Sequence, residues 1–428
     1  MQDATHGLWA QTAVSAPAFP QFVGDLTVDV AVIGGGYGGL SAALQIAAAG
    51  GTVALLEANS IGFGGAGRNS GLVNAGMWVM PDDIVKDLGD DIGERLIRFL
   101  GDAPTAVFDV IRDFRIDCEG ERRGTLHCAV GASGLVEITE RARQWHKRGV
   151  AVRQIGAEET RERLGSARYA GALEDPRAGT IQPLSYVRGL ARAAQGRGAR
   201  IFTDSAVSEV RHELGRWQLV SAKGRLTADW VIAAGESYSF GATQPIRETY
   251  VQFPFFNMAT RPLQEDELAS VLISRQAMID TQKIISAFRL DQAGRLIIGS
   301  VGSLGAIARS VHAQWANRSI ARAFPQLRGL KVEQVWGGVI GMTANHLPKL
   351  EWLGPQMIAV GGYNGRGIAP GTAMGAAVAK FVAGKIPEAD LPLPITKPVA
   401  RHMTALHETY IRQGAIAAHL VGNRFTGA

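Results

Sequence analysis

Gly34, Gly36 and Gly39 stand in the spacing G-x-G-x-x-G, and Glu57 closes the apolar run 52–56 that follows. These residue types at this spacing can hold a dinucleotide. Gly34 permits a tight turn, Gly36 lets a pyrophosphate approach the backbone, and Gly39 lets a helix pack on a strand with no Cβ between them. Glu57 is placed to accept hydrogen bonds from a ribose diol. A second glycine-dense stretch, 62–71, offers bare amides and the side-chain donors Arg68 and Asn69 to the same ligand; its other reading is a flexible surface loop. Gly365-Arg366-Gly367-Ile368 then precedes Pro370 and an Ala/Gly-rich segment reaching about Val382. A helix N-terminus there would favour negative charge at the pyrimidine end of an isoalloxazine, the tuning of a hydride acceptor, or would be an ordinary capped core helix.

The elements that must position these residues are legible nearby. Residues 28–33 are a short apolar run rich in β-branched side chains, as expected of a buried parallel strand, and 40–49 carry the Ala and Leu of a closely packed helix. The runs 200–210 and 218–220 alternate like strands, 229–235 reads as a strand ending in glycine, and 357–360 is an apolar strand before the last cofactor loop. Strand, triplet, helix, strand and acid in register point to a nucleotide-binding α/β domain.

Three further residues could do chemistry. The aromatic stretch 250–256 supplies Tyr250 as a pocket wall or as core. Arg289 has two readings, a cation for a distal carboxylate or a surface charge. His346, two residues before Pro348, is a candidate acid/base or hydrogen-bond donor, or a satisfied structural histidine.

At 428 residues, two domains are expected, possibly interleaved, and 53 glycines imply many tight turns. The net charge of +5 is dispersed with no long basic run, so a nucleic-acid groove is not expected. Cys118 and Cys128 lack metal-ligand spacing, so neither a metal site nor a disulfide is expected. With no apolar run long enough to span a membrane and no leader-like start, the expectation is a cytoplasmic protein.

The segments VDVAVIGGGYGGLSAALQIAAAGGTVALLEA, GGAGRNSGLVNAG, WGGVIGMTANHLPKL and GGYNGRGIAPGTAMG, in that order, resemble the D-amino-acid oxidase-like superfamily of FAD-dependent oxidoreductases over most of the chain. Within it the chain is most similar to the bacterial gamma-glutamylputrescine oxidase group. The resemblance implies an α/β (α+β) fold with a Rossmann-like FAD-binding domain of the glutathione-reductase type, built from 1–79, 161–239 and 331–428. A mixed-sheet substrate domain built from 80–160 and 240–330 would interleave with it. It also implies FAD contacts at Gly34, Gly36, Tyr37, Gly38, Gly39, Glu57, Ala58, Gly67, Arg68, Asn69, Ser70, Gly71, Leu72, Val207, Ala234, Gly235, Gly365, Arg366, Gly367 and Ile368.

Departures from the family pattern sharpen the expectation. Ile340 or Gly341 stands where some relatives attach the flavin through cysteine, so FAD is expected to be non-covalent. Ile297 replaces a lysine that serves oxygen in one relative, leaving oxygen and another electron acceptor both open. Asn74 or Ala75, and Ala369, stand where small N-methyl amino acids are gripped by cations. The implied reaction is hydride transfer from the carbon beside an amine nitrogen to flavin N5, giving an imine that hydrolyses to an aldehyde or keto product. Its rivals are an FAD enzyme that modifies tRNA and a flavoprotein without amine turnover.

Overall fold

The structure is a computed structural model that describes residues 6–421. Two large sheets organise it. In the nine-stranded sheet, the strands Met357–Gly361, Gly224–Ala233, Gly24–Ile33, Val53–Leu56 and Arg200–Phe202 lie side by side and parallel. Val207–Glu213 and Arg216–Ser221 join Gly224–Ala233 as an antiparallel meander, and Lys349–Gly354 pairs antiparallel with Met357–Gly361. Val53–Leu56 is buried at every position, as a parallel strand covered on both faces must be.

Helices Tyr37–Ala48 and Ile368–Val382 pack together against this sheet because small residues allow their backbones to meet. A Cβ on Gly375 would strike the carbonyl oxygen of Gly38, and the Ser41 hydroxyl donates to the Thr372 carbonyl at 2.7 Å. The second helix begins at Ile368, two residues earlier than Pro370 suggests. Pro370 therefore falls in the first turn, where a missing N–H costs no helical hydrogen bond.

The eight-stranded sheet runs Val332–Met342, Val251–Pro262, Arg295–Val301, Ala287–Leu290, Ala277–Asp280, Thr125–Ala129, Gly171–Asp175, Arg153–Gly156. All neighbours are antiparallel except Ala277–Asp280 with Thr125–Ala129, which makes the sheet mixed. Two of its strands, Gly171–Asp175 and Val332–Met342, fall in the stretches 161–239 and 331–428 expected to serve the nucleotide sheet. Their ladders with Thr125–Ala129 and Val251–Pro262 carry them into the second sheet instead.

The C-terminal helix Thr404–Val421 packs on this half of the molecule. His419 and His312, both fully buried, bring their Nδ1 atoms to 2.7 Å, and the His312 ring stacks on Phe256 with centroids 4.6 Å apart. No helix among the described residues is long and apolar enough to cross a membrane.

Candidate active site

The C-terminal ends of the parallel strands and the inner face of the second sheet enclose a cavity of about 540 Å³. Gly34, Gly36, Tyr37 and Gly38 line one end with Glu57 and Ala58, and the opposite end is walled by side chains of the mixed sheet. The glycines act as their spacing implies. Gly34 has φ +110°, a conformation that L side chains rarely adopt. A Cβ on Gly39 would collide with the Gly34 carbonyl oxygen, whereas a Cβ on Gly36 would meet nothing closer than Ala66 at 3.7 Å. The backbone is thus bare where a pyrophosphate would approach it, and the N-terminus of Tyr37–Ala48 opens there.

Glu57 accepts from the backbone N–H of Gly35 at 2.6 Å and of Asn59 at 2.9 Å, which aims its carboxylate into the same end of the cavity. Burial raises its pKa above the usual carboxylate range. The glycine-dense loop is ordered by its own side chains and is not a free surface loop. Asn69 donates to the carbonyls of Gly65 and Ala66, each at 3.0 Å, and accepts from Gly71 N–H at 2.8 Å. Asn69, Ser70 and Leu72 reach the cavity wall, as do Val207, Ala234, Gly235, Gly365, Gly367 and Ile368.

Five residues expected at the cofactor stand behind the wall. Gly39 is the helix-to-strand contact just described. Gly67 packs on Gly62, and Gly71 lies against the Ile181 carbonyl and the Arg289 guanidinium. Arg68 is buried, donates from Nε to the Phe63 carbonyl at 2.7 Å, and its own carbonyl accepts from Asn257 and Trp336 at 3.0 Å each. Arg366 turns away from the cavity and donates to the Ala75 carbonyl at 2.7 Å. These side chains shape the loops that line the cavity.

None of the three expected chemical residues lies in the wall. The Arg289 guanidinium is buried and donates to the carbonyls of Ser70, Gly71 and Ile181, with burial lowering its pKa to about 10. Tyr250 is buried under Gly361 with the Lys349 ammonium over its ring. His346 sits exposed at a surface turn with φ 58°. From the aromatic stretch it is Phe253 and Phe255 that face the cavity, joined by Trp78, Ile279, Ile285 and Ile340, while the Phe256 ring packs on His312 and Trp315 behind the sheet.

Glu236 lines the cavity and has no counterpart among the sequence-based expectations. It adopts φ +47° directly after Gly235 and accepts from the backbone N–H groups of Gly362 and Tyr363 at 3.1 Å. Burial pushes its carboxyl up to about 7. The signal available was an acidic residue just past the strand-glycine end 229–235, comparable to Glu57 in following the end of a parallel strand.

Glycine turns, two helix N-termini and a buried acid at the end of the second parallel strand line one cavity. Residues 29–381 match the family described as FAD dependent oxidoreductase. Over 387 residues the chain is 30% identical to the Gamma-glutamylputrescine oxidoreductase of Escherichia coli (strain K12), covering 90% of each chain. It is 29% identical over 392 residues to the Probable oxidoreductase OrdL of Rhizobium meliloti (strain 1021), again covering 90% of each. Among solved structures, the fold is shared with an L-amino acid deaminase from Proteus myxofaciens in complex with anthranilate, at TM-score 0.73, 16% identity and coverage of 88% of this chain and 94% of that one. A glycine oxidase from Geobacillus kaustophilus superposes at TM-score 0.68 and 18% identity, covering 83% and 94%. The chain belongs to the DAO family of FAD-dependent oxidoreductases.

Proposed function

We propose that this FAD-dependent oxidoreductase oxidises an amine at the carbon beside nitrogen, the resulting imine hydrolysing to an aldehyde or keto product. When bound, FAD supplies the hydride acceptor at its ring N5. Gly34, Gly36 and Glu57 would hold its ADP half, and Asn69, Ser70, Gly365, Gly367 and Ile368 its flavin half.

One observation carries the reading. Among the described lining residues there is no Lys, Arg or His, and the charged side chains are the carboxylates Glu57 and Glu236. Phe253, Phe255, Ile279, Ile285 and Ile340 make an apolar wall, which favours the neutral amine whose lone pair stabilises the cation developing at carbon. A carboxylate on the reacting carbon would be buried there without a cation, at considerable cost. An amine without a carboxylate on the reacting carbon, or with one held differently, fits this wall better. Similarity to a relative named for gamma-glutamylputrescine supports an amine of that general kind.

The attachment of FAD is non-covalent: Cys118 and Cys128 lie outside the wall as buried free thiols, with burial pushing Cys118 up to about 12. Free thiols also support a cytoplasmic location. We assign cofactor binding to the nine-stranded sheet and substrate enclosure chiefly to the eight-stranded one.

The test is an anaerobic absorbance scan of the purified protein against polyamines, gamma-glutamylated amines, N-methyl amines and D-amino acids, followed by air. Bleaching of the flavin band near about 450 nm by an amine supports the reading. A photoreducible flavin that no amine bleaches removes it. The rate of recovery in air separates oxygen from another electron acceptor.

A further inference from the structure

Beside the main cavity lies a smaller space of about 40 Å³, and Asn74, Trp78 and Ile279 stand in the walls of both. Arg141, Arg366 and His127 also line it. Arg141 is 7% exposed and donates to the Trp78 carbonyl at 2.7 Å, yet its Nε–H has no acceptor. Arg366 lies 4.4 Å from the centroid of the Trp78 ring, and its buried Nε–H likewise has no acceptor. The Nδ1 of His127 is buried and unpartnered. Burial, then the two arginines, lower the His127 pKa to about 3, so its ring stays neutral.

The nearby carboxylates do not balance this charge. Asp175, in the same wall, is engaged by Arg177 through contacts of 2.9 and 2.7 Å. Glu137 approaches Arg141 and His127 only to 3.9 Å, and its side chain is 38% exposed. Two arginines, each with an unused buried Nε–H, thus stand in the wall of a space adjoining a cavity whose own wall holds no cation. Burying such charge without a partner is costly, and an anion there would relieve it.

We propose that this space receives a carboxylate at the far end of the amine substrate, held by the guanidinium groups of Arg141 and Arg366. The inference rests on the amine reading above and narrows it to amines with an anionic tail. About 40 Å³ has room for a group the size of a few water molecules, which suits a carboxylate and its adjoining methylene. Hydrogen bonds from guanidinium to carboxylate are charge-assisted and among the stronger kinds. The tail enters past Trp78, whose ring already lies against Arg366.

The experiment uses the FAD-loaded enzyme and straight-chain ω-amino carboxylates of increasing length, each paired with its carboxamide, with anaerobic flavin reduction followed against concentration. Straight-chain dicarboxylates spanning the same lengths, which cannot be oxidised at a C–N bond, are titrated separately against the flavin spectrum. At the best length the carboxylate is expected to half-saturate at a concentration about tenfold or more below its carboxamide. A dicarboxylate is expected to perturb the spectrum. Arg141→Met and Arg366→Met should each collapse the preference to about twofold or less and abolish the perturbation, with FAD content showing that the variants are folded. Arg141→Lys and Arg366→Lys should keep part of the preference, which a folding defect would not restore. Equal half-saturation of acid and amide at every length, with no dicarboxylate perturbation, overturns the subsite while leaving amine oxidation standing. If no amine reduces the flavin, the amine reading fails separately. The dicarboxylate titration then decides: a perturbation lost in Arg366→Met upholds an anion subsite, and its absence in the wild type overturns it.

Discussion

Arg289 donates from its guanidinium to the carbonyl oxygen of Gly71 at 3.3 Å, fastening the mixed sheet to the glycine-dense loop 62–71. The same side chain serves Ser70 and Ile181.

Arg289→Met removes the side-chain donor from these buried carbonyls, of which that of Gly71 keeps the Ile181 N–H at 2.8 Å, a loss on the order of 2 kcal/mol of stability. FAD retention and the thermal midpoint should fall together, with substrate dependence changing only as flavin is lost. Full flavin content with a raised KM alone would instead put Arg289 on the substrate.

Gly36 and Gly39 should separate binding from folding. Gly36→Ala places its Cβ 3.7 Å from the nearest neighbour, so the protein should fold with FAD affinity reduced about tenfold or more. Gly39→Ala drives a Cβ into the Gly34 carbonyl and should yield little soluble protein. Flavin content and circular dichroism, measured side by side, check both outcomes; normal folding of Gly39→Ala would contradict the packing argument.

Glu236 gives a pH dependence of defined sign. Its carboxyl is raised from 4.5 to about 7 in the folded protein, so the folded state holds the proton over that window and the unfolded state does not. Stability from this group is present below the lower value and is lost as pH rises through about 7. In FAD-free protein, the thermal midpoint of the wild type should decline across this window relative to Glu236→Gln, which keeps an acceptor for Gly362 and Tyr363. Parallel pH profiles would show that Glu236 does not titrate there.

The His312–His419 pair acts in the opposite direction. Burial holds both imidazoles below the usual value of 6.5, so their contribution is present above that pH and is lost as pH falls below it. Hydrogen exchange in Thr404–Val421, corrected for intrinsic rates, should accelerate on acidification sooner than in Tyr37–Ala48. Equal acceleration in both helices would detach the effect from the histidines.

What could be read along the chain was whatever neighbouring residues determine among themselves. The strand at 28–33, the turn at Gly34 and the contact behind Gly39 depend on backbone sterics over a few residues, so their spacing announces a dinucleotide site. Glu57 belongs with them because the end of the second strand is located by the same short unit. Side-chain destination is another matter. Arg289 alternates along its strand in a way compatible with either face, and only pairing with Arg295–Val301, with loop 70–71 lying across it, buries the guanidinium on carbonyls. Tyr250 and His346 were likewise assigned by proximity in sequence, while the register of Val251–Pro262 turns Phe253 and Phe255 toward the cavity. Arg141 and Arg366 meet beside Trp78 because a helix and a distant loop pack there. No local spacing encodes such a meeting, since side-chain encounters between remote segments are decided by how the sheets and helices close on one another.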